Sequence, residues 1–374
     1  MIGASVATAI GYVLGFSWWL ARGETLLEAR DLIPARIGEV AVFLWLAVVG
    51  GSIGSFLNVV AWRVPRGLSI RGRSACPRCG TRLGAGDNIP VFGWLLLGGR
   101  CRTCRLPISA RYPLVEAAVA ATTVIVGVAE FYGDALPFTD RRPAWGPLET
   151  PDVSVTALVT FVYHLVAISF AWAFGLIRWD GHRIPGRMLR AGCLAAALPM
   201  LVYPGLMSVP WQVSVGPTWR GDGLYLDAWL RVASGAAAAV FFARGLARGF
   251  CPTADPKLDP LGSGTGRLID LIGIVTLPAL VIGWQSLSAV LVLASLVALP
   301  LKRLGSAADA LGRFAIGIPV AMAVQIAFWD AATAWAYWPG VGSAPAVTLA
   351  AAAVALLVPI WLGDGRPRSV AVGP

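Results

Sequence analysis

Apolar runs recur along this chain, most of about twenty residues and those between 188 and 301 shorter or broken by glycine or proline, and they restrict it to one kind of fold. Twenty residues of helix rise about 30 Å, the thickness of a bilayer's hydrocarbon core. Ten runs are read, at about 3–20, 39–62, 112–132, 153–177, 188–203, 228–248, 268–282, 285–301, 313–338 and 345–363. Of 374 residues, 57% are hydrophobic and only 13% charged, whereas soluble domains carry nearer a quarter charged. Mean hydropathy is +0.71. The expected class is an all-α polytopic membrane protein with about ten transmembrane helices. The first run has no basic residue before it and no small-x-small site after it, so it reads as a span and not a removable leader.

Charge orients these spans. Arginine and lysine exceed acids in 63–111, 178–190, 244–267, 302–313 and 366–368. With ten spans these segments share one side, which the positive-inside rule makes the cytoplasm, together with both termini. Segments 22–39, 131–152 and 204–227 are mixed or mildly acidic and fall outside. The expected location is the inner (plasma) membrane. The formal charge of +10 therefore reports topology and contact with lipid headgroups. No aromatic-interleaved basic groove is present, so nucleic acid is not an expected partner. The sixteen tryptophans suit the two membrane interfaces.

One polar island interrupts the pattern. Cys76 and Cys79 (C-P-R-C) and Cys101 and Cys104 (C-R-T-C) stand twenty-one residues apart, among ten arginines from Arg63 to Arg111, with Asp87 the sole acid. Two Cys-x-x-Cys turns at this spacing resemble a zinc ribbon, in which four thiolates complete a tetrahedral site. Two disulfides are the alternative, but a cytoplasmic segment keeps its thiols reduced. The domains are thus 1–62, amino-terminal helices; 63–112, a small cytoplasmic zinc-ribbon insertion; and 113–374, a helical bundle. Of the leftover thiols, Cys193 lies in an apolar run and reads as core.

Further motifs lie around the island. From Gly54 the chain reads G-S-F-L-N-V-V-A-W-R-V-P, then C-P-R-C-G-T-R-L, then D-N-I-P-V-F-G-W-L-L-L-G-G-R-C-R-T-C, and P-I-S-A-R-Y-P-L-V-E ending at Glu116. Over 54–116 this closely resembles the type IV prepilin leader peptidases, membrane enzymes of pilus and type II secretion assembly. The resemblance implies cleavage of prepilin leaders at the cytoplasmic face. In bifunctional members it also implies N-methylation with S-adenosylmethionine. It makes the four cysteines zinc ligands and prepilin-like helices the partners, with Asp87, Asn88 and Glu116 on or beside the working surface.

The carboxy-terminal half resembles that family more weakly. Family members carry D-x-D-x-x-x-(I/L)-P and G-x-G-x-G-D, whose first and last aspartates form an intramembrane aspartic dyad. Here the stretches read R-W-D-G-H-R-I-P, Arg178 to Pro185, and G-S-G-T-G-R, ending at Arg267. Arg178 and Arg267 thus occupy the catalytic positions, and Asp180 keeps the motif's second acid. Gly283 to Gln285 and the G-I-P at Gly317 echo family positions loosely. A dyad works because two close carboxylates share one proton. Arginine has no acceptor and stays protonated in proteins, so two arginines supply no general base, and the family's peptidase activity is expected to be lost.

Asp180 and Asp270 are the weak candidates for displaced acids. Asp270 lies three residues beyond Arg267 and shares its helix face, whereas Asp180, two beyond Arg178, does not. Pairing of these acids with Arg178, Arg183 or Arg267 as salt bridges is the simpler expectation. The glycine run 262–266 lacks the features of a phosphate-binding loop and reads as a flexible lead-in to a helix. His164 is expected to be hydrogen-bonded within the bundle, and His182 solvated. Glu116 is either an interfacial carboxylate or a cofactor-binding candidate. Three functions stay open: a non-cleaving protein that binds prepilin-like helices or scaffolds an assembly, a methyltransferase-only enzyme, and a peptidase using displaced acids.

Overall fold

The computed structural model describes residues 2–23, 28–72, 74–76, 78–133, 150–207, 221–251, 263–303, 308–340 and 342–363. Segments 134–149 and 208–220, in the expected outer loops, and 252–262, 304–307 and 364–374, in or beside the basic segments, lie outside the described residues. The helices are α1 (Ile2–Ala21), α2 (Ala29–Arg63), α3 (Phe92–Leu96), α4 (Arg111–Tyr132), α5 (Val155–Trp179), α6 (Gly186–Val202), α7 (Gly221–Phe250), α8 (Ser263–Ile282), α9 (Trp284–Arg303), α10 (Ala310–Ala327), α11 (Trp329–Ala334) and α12 (Pro345–Leu362). All but the short α3 fall on the apolar runs, α10 and α11 sharing one. Among the described residues eight helices are long and apolar enough to cross a membrane: α2, α4, α5, α7, α8, α9, α10 and α12. The apolar part described in α1, Val6–Ala21, is shorter, and α6 has 17 residues. Among the described residues the only β pairing is two isolated bridges, Ala75 with Arg82 and Arg100 with Pro107. This is an all-α integral membrane protein with a zinc-ribbon-like insertion.

Two boundaries differ from expectation. α2 starts at Ala29, not near Glu39, because the charges that seemed to end the span are paired. Arg36 Nη1 meets Glu39 Oε1 at 2.8 Å, and Tyr12 of α1 donates to Glu39 Oε2 at 2.6 Å. The run 313–338 is not one helix, since the chain leaves helical geometry at Phe328 (φ −115°, ψ 20°) and resumes as α11.

Within a bilayer lipid is as apolar as leucine, so helices associate through close packing and small residues. Gly50 and Gly54 put the backbone of α2 against α4: a Cβ on Gly54 would lie 2.7 Å from Glu116 Cα, and one on Gly50 2.7 Å from Ala120 Cα. α5 and α10 meet the same way. A Cβ on Gly312 would lie 2.7 Å from the Arg178 carbonyl, and one on Gly175 2.9 Å from that of Ala315. Phe174, Ile177, Leu271, Val275, Leu291, Phe314 and Met322 fill the core between them, while Trp45, Val48, Leu357 and Ile360 face outward. Gly283 (φ 98°) separates α8 from α9. The buried Arg231 of α7 donates there to the carbonyls of Leu280 (3.3 Å) and Val281 (2.6 Å), orphans of the α8 terminus.

Candidate functional site

The insertion leaves α2 and returns as α4, and its two cysteine turns are built alike. Cys76 N–H donates to Thr81 O and Gly80 N–H to Cys76 O; Cys101 N–H donates to Leu106 O and Arg105 N–H to Cys101 O. Each turn needs a left-handed residue after its second cysteine. Gly80 (φ 70°) supplies it in the first and Arg105 (φ 58°) in the second. All six cysteines are free thiols. Cys76 Sγ and Cys104 Sγ are 3.8 Å apart, Cys79 Sγ and Cys101 Sγ 3.9 Å, and all four lie within 4.8 Å of one another. Sulfurs at about 2.3 Å from a tetrahedral ion stand roughly 3.8 Å apart, so this donor set fits one metal ion. The Thr81 hydroxyl, with the Thr81 backbone N–H, holds the Cys79 thiol down to about 6. Backbone N–H groups of Cys104 and Thr103 lower Cys101. Cys104 goes the other way, to about 11: Leu106 N–H favours its thiolate, but burial and the neighbouring thiols outweigh it.

The second cluster forms where α5 ends and α8 and α10 begin. Arg178, 3% exposed, sends Nη2 to Asp309 Oδ2 at 2.9 Å and Nη1 to Asp270 Oδ2 at 3.4 Å. Arg267 Nη2 reaches the same Asp309 oxygen at 3.1 Å, and its Nε donates to Phe250 O at 3.0 Å. Arg183 Nε lies 3.4 Å from Asp270 Oδ2, and Ile184 N–H donates to Asp270 Oδ1 at 3.3 Å. The structure thus brings together Arg178, Arg267 and Asp270. Asp180 is turned away, held by both guanidinium nitrogens of Arg111 at 2.6 and 2.9 Å. Asp309 joins the cluster unforeseen. Its other oxygen accepts Gly312 N–H at 2.7 Å as the cap of α10, and D-A-L-G just before an apolar run is the signal that marks it.

Comparison with known proteins identifies this pairing of a four-cysteine insertion with a helical bundle. The model of the Bacterial Peptidase A24 N-terminal domain matches residues 48–130. The prepilin leader peptidase/N-methyltransferase of Aeromonas hydrophila is 30% identical over 276 residues, 66% of this chain and 74% of that protein. The chain belongs to the prepilin leader peptidase/N-methyltransferase family. The protein of that name from Myxococcus xanthus is 56% identical over 86 residues, 22% of this chain and 25% of its own length. A type 4 prepilin-like proteins leader peptide-processing enzyme of Escherichia coli O78:H11 is 43% identical over 103 residues, 22% of this chain and 38% of its own. The match thus spans well under half of these last two relatives. No solved structure matches the chain.

In this family member a cavity of about 600 Å³ opens between the insertion and the ends of α2 and α4. Trp62, Trp94 and Tyr112 give it aromatic walls, and Asn58, Asp87 and Glu116 give it polar groups. Asp87 also pairs with Arg102, whose guanidinium holds its carboxyl below the ordinary range. Glu116 Oε2 accepts Val91 N–H at 2.6 Å. Deeper in the bundle, away from both clusters, His164 Nδ1 contacts Glu130 Oε1 with both side chains fully buried. His164 is thus hydrogen-bonded within the bundle. Its partner Glu130, the second acid of its apolar run after Glu116, carries no motif that would mark it in the sequence. The His182 carbonyl, 3.0 Å away, accepts from Arg178.

Proposed function

We propose that this chain is a non-cleaving member of its family that engages prepilin-like helices in pilus or secretion assembly. The observation that carries the reading is the Arg178 guanidinium, which bonds Asp270 and Asp309 with its two terminal nitrogens while Arg267 shares Asp309. A peptidase dyad needs two carboxylates sharing a proton and a water between them. Here an obligate cation takes that place, and each carboxylate is committed to guanidinium groups. Loss of general acid–base catalysis alone removes about 10²–10⁴ in rate. The displaced-acid alternative is disfavoured by the same pairing, and by the Arg111 fork on Asp180. The ion at Cys76, Cys79, Cys101 and Cys104 is zinc in this reading, closed and structural. The end of the bundle bearing the insertion and the arginine cluster faces the cytoplasm of the inner membrane.

The test is reconstituted protein with a prepilin, beside a two-aspartate relative. Binding without cleavage is the expected result; cleavage abolished by Asp270→Asn would overturn it. Cysteine labelling from outside should modify a probe at position 140 and spare one at 70, and the reverse would refute the orientation. The cavity favours a second reading, in which the protein methylates an already processed amino terminus. The cavity has room and mixed polarity for S-adenosylmethionine. Methyl transfer to processed pilin, lost in a Cys76→Ser variant, selects that reading.

A further inference from the structure

Between the residues that wall the cavity beside the cysteine insertion, the backbone takes a conformation that L-residues avoid. Val91 has φ 62° and ψ −53°, and Phe92 N–H donates to Pro90 O at 2.6 Å. Together these describe a γ-turn with positive φ at its centre, a rare and strained form. A β-branched residue is the least suited to it. Unsupported, such a centre is disfavoured by about ten- to a hundredfold.

The support is built from the neighbouring helices. Val91 N–H donates to Glu116 Oε2 at 2.6 Å, a charge-assisted bond from a side chain only 9% exposed. Ser55 of α2 lines the cavity beside the same carboxylate. Glu116 is fixed because Gly54 of α2 lies directly against its Cα, and Pro90 sits on Gly51, where a Cβ would come within 3.0 Å of it. On the far side of the turn Gly93 packs against the Asp87 carbonyl. Asn88, Ile89 and Trp94, the residues flanking the turn, line the cavity together with Glu116. The turn therefore sets the position of that wall.

We infer that Glu116 is a positioning residue whose carboxylate clamps the Pro90–Val91–Phe92 turn in its strained form and so keeps the cavity shaped for its ligand. The ligand named here, S-adenosylmethionine, rests on the second reading above; the clamp does not. Glycine adopts positive φ at no steric cost, so Val91→Gly removes the strain that the carboxylate opposes. This gives a rescue that neither direct ligand contact nor a general folding role predicts.

The experiment uses the full chain in nanodiscs, with zinc content as the check of folding. It compares wild type, Glu116→Ala, Glu116→Gln, Val91→Gly and the Glu116→Ala, Val91→Gly double variant. Two quantities are read: equilibrium binding of labelled S-adenosylmethionine, and hydrogen exchange over residues 89–95. Glu116→Ala should weaken binding by about tenfold or more and speed exchange at Phe92 and Gly93 by a similar factor. Glu116→Gln should fall between, and Val91→Gly alone should lie close to wild type. The double variant should recover most of both losses. Failure of the rescue in both readouts, or unchanged exchange in Glu116→Ala, overturns the clamp. Absence of binding by wild type overturns the methyl-donor reading, and exchange then decides the clamp by itself.

Discussion

Removing the carboxylate of Asp309 is the most direct way to ask whether the arginine cluster is a buried lock between helices. One oxygen of Asp309 takes Arg178 at 2.9 Å and Arg267 at 3.1 Å, and the other caps α10 at 2.7 Å. Breaking a fully buried ion pair costs about 3–5 kcal/mol, and an exposed one under about 1. Arg178 is 3% exposed, but Asp309 and Arg267 are 27% and 28% exposed. The first pair thus lies towards the buried limit and the second towards the exposed one. Asp309→Asn keeps the cap and loses the charge, so it should destabilise by about 2–3 kcal/mol, on the order of thirtyfold or more in the folded-to-unfolded ratio. Asp309→Ala also loses the cap and should cost about 1 kcal/mol more. Unfolding by dodecyl sulfate in mixed micelles, followed by tryptophan fluorescence, measures both. Most of the asparagine effect should persist at roughly 1 M salt, where surface pairs are screened. An Asp309→Asn variant within about 0.5 kcal/mol of wild type, the range of ordinary surface substitutions, would show that the cluster is solvated and refute the argument.

Purified protein should carry about one zinc per chain, and a Cys76→Ser, Cys101→Ser double variant that retained it would remove the assignment. Chelation should unfold the insertion, because binding energy is folding energy in small metal domains; loss of Trp94 protection beside the cavity reports it. Arg105→Gly should stabilise the insertion by about 1 kcal/mol, since its φ of 58° suits glycine; destabilisation would point to a role for that arginine's charge. Gly54→Val should separate α2 from α4 and destabilise by at least about 3 kcal/mol, beyond ordinary overpacking, because the obstacle is the Glu116 backbone and not a mobile side chain. Near-neutral thermal unfolding of that variant would contradict the close packing.

The order of the bundle was legible because most apolar runs are close to the length of a bilayer, and the cysteine turns because their spacing reports local geometry. The start of α2 was not legible, since Arg36 and Glu39 look like the end of a span until their pairing with Tyr12 is seen. Asp309 escaped for a related reason. It is one polar residue just outside an apolar run, and its meaning comes from Arg178 and Arg267, 131 and 42 positions away in sequence. Helix spacing already separates Asp270 from Asp180, and the structure turns the first to the cluster and the second to Arg111, a partner the spacing does not indicate. The strain at Val91 has no sequence signal, because valine gives no warning of positive φ.

The glycine contact between α2 and α4 also bears on how the chain can change over time. Asn58 Nδ2 reaches the Tyr112 carbonyl at 3.3 Å, so the insertion begins and ends on two backbones already held side by side. A segment whose ends are pinned in this way closes its loop at little entropic expense and can be replaced without moving the bundle. The two parts are therefore modular. The residues at the helix ends around Arg178 and the cysteine turns can change independently, each half keeping its fold.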